Sequence, residues 1–453
     1  MSEYKLNKNY TYNVGQNLYS ESGECYTIVD TLGRGGQGEV YKVAGPDGVF
    51  AVKWYYKDSY LSKINAAAFK KNLQTNVRNG IPTLSSGDSA TQFIWPLKMM
   101  ADQDGSFGYL MNLFPNGYEP LRNVILGRRK NHKTGTVDYI QWNSWFMRVT
   151  AAINIVRAFE ILHSTGHSYQ DINDGGFSIN LENGNVFICD CDNVSPDKTN
   201  LGILGIKTFM APEVVRGEKL PDRYTDEYSL AVILFRLFLH GHPMIGKESR
   251  IIHNSTIYSD QESDLLIYGS KPHYCLASFN NMNPIEPDTD KDIFRLSFTY
   301  PVELMDAFEK VFTQGVNDYN QRLTATEWRK LLLNVRDHII LKDNYEQFVG
   351  KRIEKALPVE CRTLIYPNGR KVYCMPGKIL YAYHFNEKSS DFKTPIGKII
   401  PTSKENVIGL FNASGNSIDF TYNNNVGCCR NNERMPLLVG MQLKVNNMII
   451  EVR

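Results

Sequence analysis

The chain has 453 residues, 42% of them hydrophobic and 22% charged, which is the composition of a globular protein long enough for two or three folding units. Its 50 basic and 48 acidic residues leave a net charge of +2, which excludes a global field that gathers nucleic acid or anionic membrane; partners must be recognised locally. The eight cysteines are too few for a disulfide scaffold and show no C-x-x-C spacing, so reduced thiols are expected.

The first residues, Met1 to Leu6, carry no signal-like apolar segment, and the apolar run near Leu230 to Phe235 stops at Arg236; a cytoplasmic protein is expected. Residues 10 to 115 are β-rich, with a helical stretch from Leu61 to about Arg78 and a strand over Phe107 to Met111. Within this region lies Gly33-Arg34-Gly35-Gly36-Gln37-Gly38, followed by Val40 to Val43, a Gly45-Pro46-Asp47-Gly48 turn and Phe50-Ala51-Val52-Lys53. A dinucleotide fingerprint would open a helix after its last glycine, whereas this pattern predicts a hairpin with a lysine on its second strand.

From about Leu121 to Val335 the periodicity is helical, as in Trp142 to Leu162, Tyr228 to Leu239 and Thr326 to Leu333. The Ser-, Asn-, Asp- and Pro-rich stretch from Tyr258 to Pro287 predicts an irregular insertion, and Asp337 to Lys355 reads as a charged connection. After Pro358 strands return: Ile418, Phe420 and Tyr422 alternate with polar residues, as do Met441, Leu443 and Val445 before the Asn446-Asn447 turn. This last part reads as a separate all-β module, an interaction or lobe-stabilising sandwich.

Phosphoryl transfer needs a carboxylate near the substrate hydroxyl and further oxygen ligands for the metal that accompanies the phosphates. Downstream of the hairpin, a helix ends at Gly166 and a loop delivers Asp171; a second hairpin then leads to Asp190 and Asp192. Further on come Phe209-Met210-Ala211-Pro212-Glu213, Thr225-Asp226-Glu227 and Gln321-Arg322-Leu323.

With these motifs in this order, the sequence resembles the protein kinase family over about residues 20 to 340. The resemblance implies an α+β, bilobal fold, with a β-rich N-lobe and an α-helical C-lobe, followed by a small all-β sandwich-like domain. The expected boundaries are an N-terminal extension over 1–22, the N-lobe over 23–113, the C-lobe over 114–345, a linker over 346–357 and the β domain over 358–453. ATP and Mg²⁺, or Mn²⁺, are the implied cofactors.

The resemblance also implies roles. Gly33, Gly35, Gly36 and Gly38, with Val40, cover the phosphates, Lys53 holds the α- and β-phosphates, and Asp171 is the catalytic acid/base. Ala51 and Met111 line the adenine slot, and the backbone at Asn112 and Leu113 binds the base. Asp190 holds the metal, with Asp192 and Asn173 as further candidate ligands, while Glu213 pairs with Arg322 and Asp226 ties down the catalytic loop. The segment Cys189 to Val194 and the Phe-Met-Ala-Pro-Glu-Val-Val-Arg-Gly run look like a bacterial subgroup of serine/threonine kinase-like proteins. Its members stand beside a metal-dependent protein phosphatase and a von Willebrand A-domain protein, which are the implied partners besides a protein substrate; no nucleic acid or membrane is expected.

Several positions depart from the family pattern. No glutamate occurs between Glu39 and Glu119, so Gln74 is the best candidate on the helix that normally pairs with the strand lysine. The usual His-Arg-Asp is Tyr169-Gln170-Asp171, Asn173 stands where a lysine is expected, and Gly176 stands where a metal-binding asparagine is expected. With a neutral glutamine where the family carries an arginine, activation by loop phosphorylation is not expected. Two readings stay open: an active protein serine/threonine kinase with a degenerate loop, or a pseudokinase that binds nucleotide or scaffolds partners.

Overall fold

The computed structural model describes residues 10–61, 66–130, 134–142, 144–203, 205–279, 281–350, 357–386, 389 and 391–453. Six strands form the first sheet: β1 (Asn17–Tyr19), β2 (Cys25–Arg34), β3 (Gly38–Gly45), β4 (Gly48–Tyr55), β5 (Pro96–Met99) and β6 (Gly108–Met111), in the order β1-β2-β3-β4-β6-β5 with antiparallel neighbours. Residues Tyr10 and Tyr12, expected in an extension, instead pack on this sheet: Tyr12 is buried edge-on to Trp54. The first nine residues of that extension, and 351–356 of the expected linker, lie outside the described residues.

Helix α1 (Ala66–Asn79) covers the sheet with Phe69, Leu73 and Asn76, whose spacing places them on one face. It contains no acidic residue.

The helical lobe is built on capped helices. In α2 (Trp145–Ser164) the Ser144 hydroxyl accepts from the Met147 amide at 3.0 Å, and in α3 (Arg223–Leu239) the Asp222 carboxylate accepts from Thr225 at 3.1 Å. In α4 (Ala325–Asp337) Thr324 and Glu327 satisfy each other's backbone amides. Both α2 and α3 are apolar nearly all round because they are central, sharing one core with Phe308 and Trp328. A short β7–β8 hairpin (Phe177–Ile179 and Val186–Ile188) packs on this core beside the cleft. The 258–287 stretch is not irregular throughout: it carries helical turns at Asp260–Asp264 and Leu265–Ser270.

The segment after α4, read as a charged connection, forms a hairpin of β9 (Ile339–Lys342) and β10 (Tyr345–Phe348), and Phe348 joins the helical core. Beyond it, β11 (Arg362–Ile365), β12 (Lys371–Cys374), β13 (Ile379–Tyr381), β14 (Pro395–Pro401), β15 (Ile408–Asn412), β16 (Ile418–Tyr422), β17 (Asn425–Cys429), β18 (Arg434–Leu437), β19 (Gln442–Val445) and β20 (Met448–Val452) make two sheets. Their orders are β12-β11-β20-β19-β16-β17 and β13-β14-β15-β18. Leu364, Leu443 and Ile450 from the first sheet and Leu380, Ile399 and Leu410 from the second fill one apolar core.

A buried polar junction joins this domain to the helical lobe. Asp337, the last residue of α4, accepts from Arg370 Nε at 3.0 Å, from the Tyr383 hydroxyl at 2.8 Å and from His384 Nε2 at 2.9 Å. Because His384 Nδ1 accepts from the Tyr381 amide, its proton sits on Nε2 and points at Asp337. Lys378 donates to the carbonyls of Asp337 and Ile339 at 3.1 and 3.0 Å, satisfying the open C-terminus of α4. Next to it Arg336 lies against the rings of Phe146 and Tyr381, 4.9 and 4.7 Å from their centroids.

Candidate nucleotide site

The glycines of the β2–β3 hairpin fall into two kinds. A Cβ at Gly38 would collide with the Trp54 carbonyl oxygen on the neighbouring strand, so the fold itself requires that glycine. Gly33, Gly35 and Gly36 have nothing within 4 Å of an added Cβ and none has a left-handed φ. Packing does not ask for glycine at those three, and the open space leaves room for a ligand to approach the backbone closely.

The cleft below is set by strand register. Ala51 lies opposite Met111, and Lys53 lies opposite Tyr109 on β6 and Val40 on β3. Ala51 and Met111 are buried in one apolar cluster against which Val40, Leu113 and Phe187 pack, and Asn112 follows the strand as an exposed residue. Leu201 and Ile203, from the segment after the second acidic motif, are buried in the same cluster.

Lys53 is the electrostatic centre. Its Nζ is 2.8 Å from Asp190 and 3.0 and 3.1 Å from the two oxygens of Asp192. Burial disfavours the ammonium, yet the two carboxylates outweigh it and hold the lysine above its usual value. Asp190 has φ 57°, in the left-handed region, and its side chain is 45% exposed beside Lys53. Asp192 is fully buried and also accepts from the Tyr55 and Tyr109 hydroxyls at 2.5 and 3.1 Å. Burial pushes the Asp192 carboxyl up, but Lys53 and the Tyr55 hydroxyl outweigh it and keep it below the usual carboxylate range.

Two expectations are corrected here. Gln74 does not reach Lys53: it is exposed and its amide donates to Glu21 at 3.0 Å. Helix α1 instead sends Asn72 and Asn76 to the Val194 carbonyl, at 2.7 and 2.8 Å. Asp192 is no metal ligand in this arrangement, since its roughly four lone-pair sites are taken by one ammonium and two hydroxyls.

Asp226, in the first turn of α3, accepts from the backbone amides of Tyr169 and Gln170 at 2.6 and 2.9 Å and so fixes the loop that carries Asp171. Glu213 and Arg322 form a two-pronged pair with both distances 2.8 Å. Burial, with Asp190 and Asp192 adding to it and the Asn173 hydrogen bond opposing it, raises the Asp171 carboxyl to about 6. Asn173 donates to Asp171 Oδ1 at 3.1 Å while its own amide oxygen accepts from Gly175. Asn173 therefore steadies Asp171.

Tyr169 is buried, with its hydroxyl donating to the Cys189 carbonyl. A Cβ at Gly176 would lie 3.3 Å from that hydroxyl. A side chain at position 176 would thus sit tightly against the Tyr169 hydroxyl.

Gln170, also buried, replaces a charged clamp with a neutral one. Its amide nitrogen, with two hydrogens to share, lies 3.0, 2.7 and 2.6 Å from the hydroxyls of Ser168 and Ser195 and the Thr199 carbonyl, and its oxygen accepts from Asn200 at 3.2 Å. Gln170→Ala removes these contacts, at a cost of about 1–3 kcal/mol, while Ser195 keeps its bond to the Thr199 carbonyl and Asn200 its bond to the Ile203 carbonyl. Faster amide hydrogen exchange over 195–203 is the expected readout; unchanged protection would show that the segment is held by other contacts.

Sequence reasoning missed Tyr55, Tyr109 and the Gln170 clamp. Tyr55 had a signal: two residues after Lys53 on one strand, it shares the lysine's face.

The residues present fit a nucleotide with one divalent ion. Three open glycines, an apolar slot and a fixed ammonium suit a triphosphate, and Asp190 can hold Mg²⁺ that takes its remaining ligands from phosphates and water. A second protein-held ion finds fewer ligands here: Asp192 is engaged by Lys53, Tyr55 and Tyr109, and position 176 has no side chain. Among the described residues no group of three His, Cys, Asp or Glu is placed to hold a metal.

Known proteins resemble part of the chain. It is 25% identical over 324 residues to Protein kinase YegI of Escherichia coli O157:H7, covering 69% of this chain and 45% of that protein, and 24% identical over 336 residues to its counterpart in strain K12. It thus spans under half the length of these curated relatives. The probable serine/threonine-protein kinase nek3 of Dictyostelium discoideum is 22% identical over 232 residues, covering 48% of this chain and 18% of that protein. Among solved structures, the Mycobacterium tuberculosis PknI kinase domain aligns with 14% identity and a TM-score of 0.43, covering 71% of this chain and 99% of that one. No helix among the described residues is long and apolar enough to cross a membrane. The profile described as "Protein kinase domain" matches residues 26–328, which include the glycine hairpin, Lys53, Asp171, Asp190 and the Glu213–Arg322 pair, and the chain therefore belongs to the protein kinase family.

Proposed function

We propose that this chain is an ATP-dependent protein serine/threonine kinase that transfers the γ-phosphate to a protein hydroxyl through an altered, single-ion site. The observation that carries the reading is Lys53 held 2.8 Å from Asp190 beneath the glycine hairpin. The backbone at Asn112 and Leu113 binds the adenine, Ala51 and Met111 enclose it, and Lys53 orients the α- and β-phosphates. Asp190 holds Mg²⁺ or Mn²⁺, which when bound neutralises charge on the phosphates. Asp171, steadied by Asn173, accepts the proton of the attacking hydroxyl. Such transfer depends on positioning and charge neutralisation, so loss of one metal amide slows it without abolishing it.

A second reading, a pseudokinase in a phosphatase and von Willebrand A-domain signalling system, draws support from the missing ligand at Gly176. The likeness to the bacterial subgroup supports those partners and an intracellular site, and the balanced net charge supports a function without nucleic acid or membrane. Incubation with γ-labelled ATP and Mg²⁺ or Mn²⁺ separates the readings, with thermal stability followed in parallel. Metal-dependent stabilisation by nucleotide together with label on protein hydroxyls is expected. Stabilisation without transfer to the chain itself or to co-purified partners would establish the pseudokinase, and neither effect would remove both.

A further inference from the structure

A lysine that orients phosphates must itself be oriented, because its four-carbon stem is flexible and its charge is a point. Helix α1 does not do this: it carries no acidic residue and Gln74 turns outward to Glu21. The partner comes from the opposite wall. Asp192 meets the ammonium with both oxygens, is itself fixed by the hydroxyls of Tyr55 and Tyr109, and is fully buried, whereas Asp190 is 45% exposed.

We infer that Asp192 is the positioning residue for Lys53 and takes the place of a carboxylate on the helix, while Asp190 meets the same ammonium through Oδ1 alone, at 2.8 Å, and stays 45% exposed. Resting on the kinase reading above, this inference deepens it by dividing labour between two acids two positions apart. Three observations carry it independently of any ligand. The oxygens of Asp192 have no vacant lone pair, so the residue acts through the lysine alone. Tyr55 and Lys53 project from one face of β4, and Tyr109 lies opposite Lys53 on β6, so the sheet presents the whole anchor as one surface. Helix α1, deprived of the lysine, holds the anchor's own segment instead, through Asn72 and Asn76 at Val194. The helix thus acts on the turn that carries Asp192.

The test compares Asp192→Asn with wild type and with Gln74→Ala, using accessibility of Lys53 to a small acylating probe, read residue by residue by mass spectrometry, and affinity for Mg²⁺-ATP by calorimetry. In Asp192→Asn, Lys53 is expected to become severalfold more accessible while other lysines keep their rates, and affinity to weaken about tenfold or more through loss of the charge-assisted bonds. Gln74→Ala should match wild type in both. Unchanged Lys53 accessibility in folded Asp192→Asn, or an equal change in Gln74→Ala, overturns the inference. Should Asp192→Asn fail to fold, Tyr55→Phe with Tyr109→Phe keeps the carboxylate and removes its two supports; a smaller rise in Lys53 accessibility is expected, and no rise overturns the proposal. If wild type binds no nucleotide, the kinase reading fails, yet the labelling arm still judges the anchor.

Discussion

Asp171→Asn is expected to lower γ-phosphate transfer by about 10²–10⁴-fold, the range for loss of a positioned acid/base, while nucleotide-dependent stabilisation is retained. The amide fits the same space and can keep the hydrogen bond that Asn173 now makes to Oδ1, 3.1 Å away. The carboxyl, raised to about 6 by burial, is protonated below that pH and cannot accept the hydroxyl proton there. The plot of kcat/KM should therefore fall on the acid side of about pH 6, and that limb should vanish with the residual activity of the variant. The same shift has a stability consequence of known sign. A group whose folded value lies above its ordinary 3.8 contributes stability that is complete below 3.8 and lost as pH rises through about 6. Deprotonation at the working pH thus costs stability, and Asp171→Asn should be more stable than wild type at neutral pH. Transfer retained at wild-type level by the variant would remove Asp171 from the mechanism.

Asp337→Ala should be the most damaging single change at the junction between the helical lobe and the β domain, costing about 3–5 kcal/mol because it leaves the buried charge of its partners uncompensated. Burial pushes the Asp337 carboxyl up, but Arg370 beside it prevails and holds it far below the usual carboxylate range. Burial also depresses His384 to about 4, so at neutral pH it is an uncharged donor to Asp337. The unfolded chain binds the His384 proton at its ordinary 6.5, so stability is lost as pH falls from 6.5 through about 4, and the Asp337 contribution follows only in stronger acid. Urea unfolding of wild type and Asp337→Ala at about pH 7.5 and about pH 5, above and within that window, checks both effects. Equal midpoints for the two proteins at neutral pH would show that the junction contributes nothing.

Much of this was readable before any coordinates. The hairpin could be told from a strand-to-helix turn because Pro46-Asp47-Gly48 punctuates it between two alternating runs, and Asp171, Asp190, Glu213, Asp226 and Arg322 were legible from their order along the chain. The partner of Lys53 was not. A missing glutamate drew attention to α1 and Gln74, whereas the vacancy is filled across 139 positions of sequence by Asp192, a contact that no local period reports. The segment after Asp337 misled for a related reason. Its charged residues suggest a solvated connection, but Phe348 and Asp337 are core residues whose companions, Arg370, Tyr383 and His384, arrive only when the β domain folds back.

With the Tyr169 hydroxyl 3.3 Å from where a side chain at 176 would begin, adding asparagine at 176 requires that phenol to give way slightly, and trimming residue 169 empties a buried space and removes the donor to the Cys189 carbonyl. The two positions share one space, so the effect of a substitution at either depends on what stands at the other.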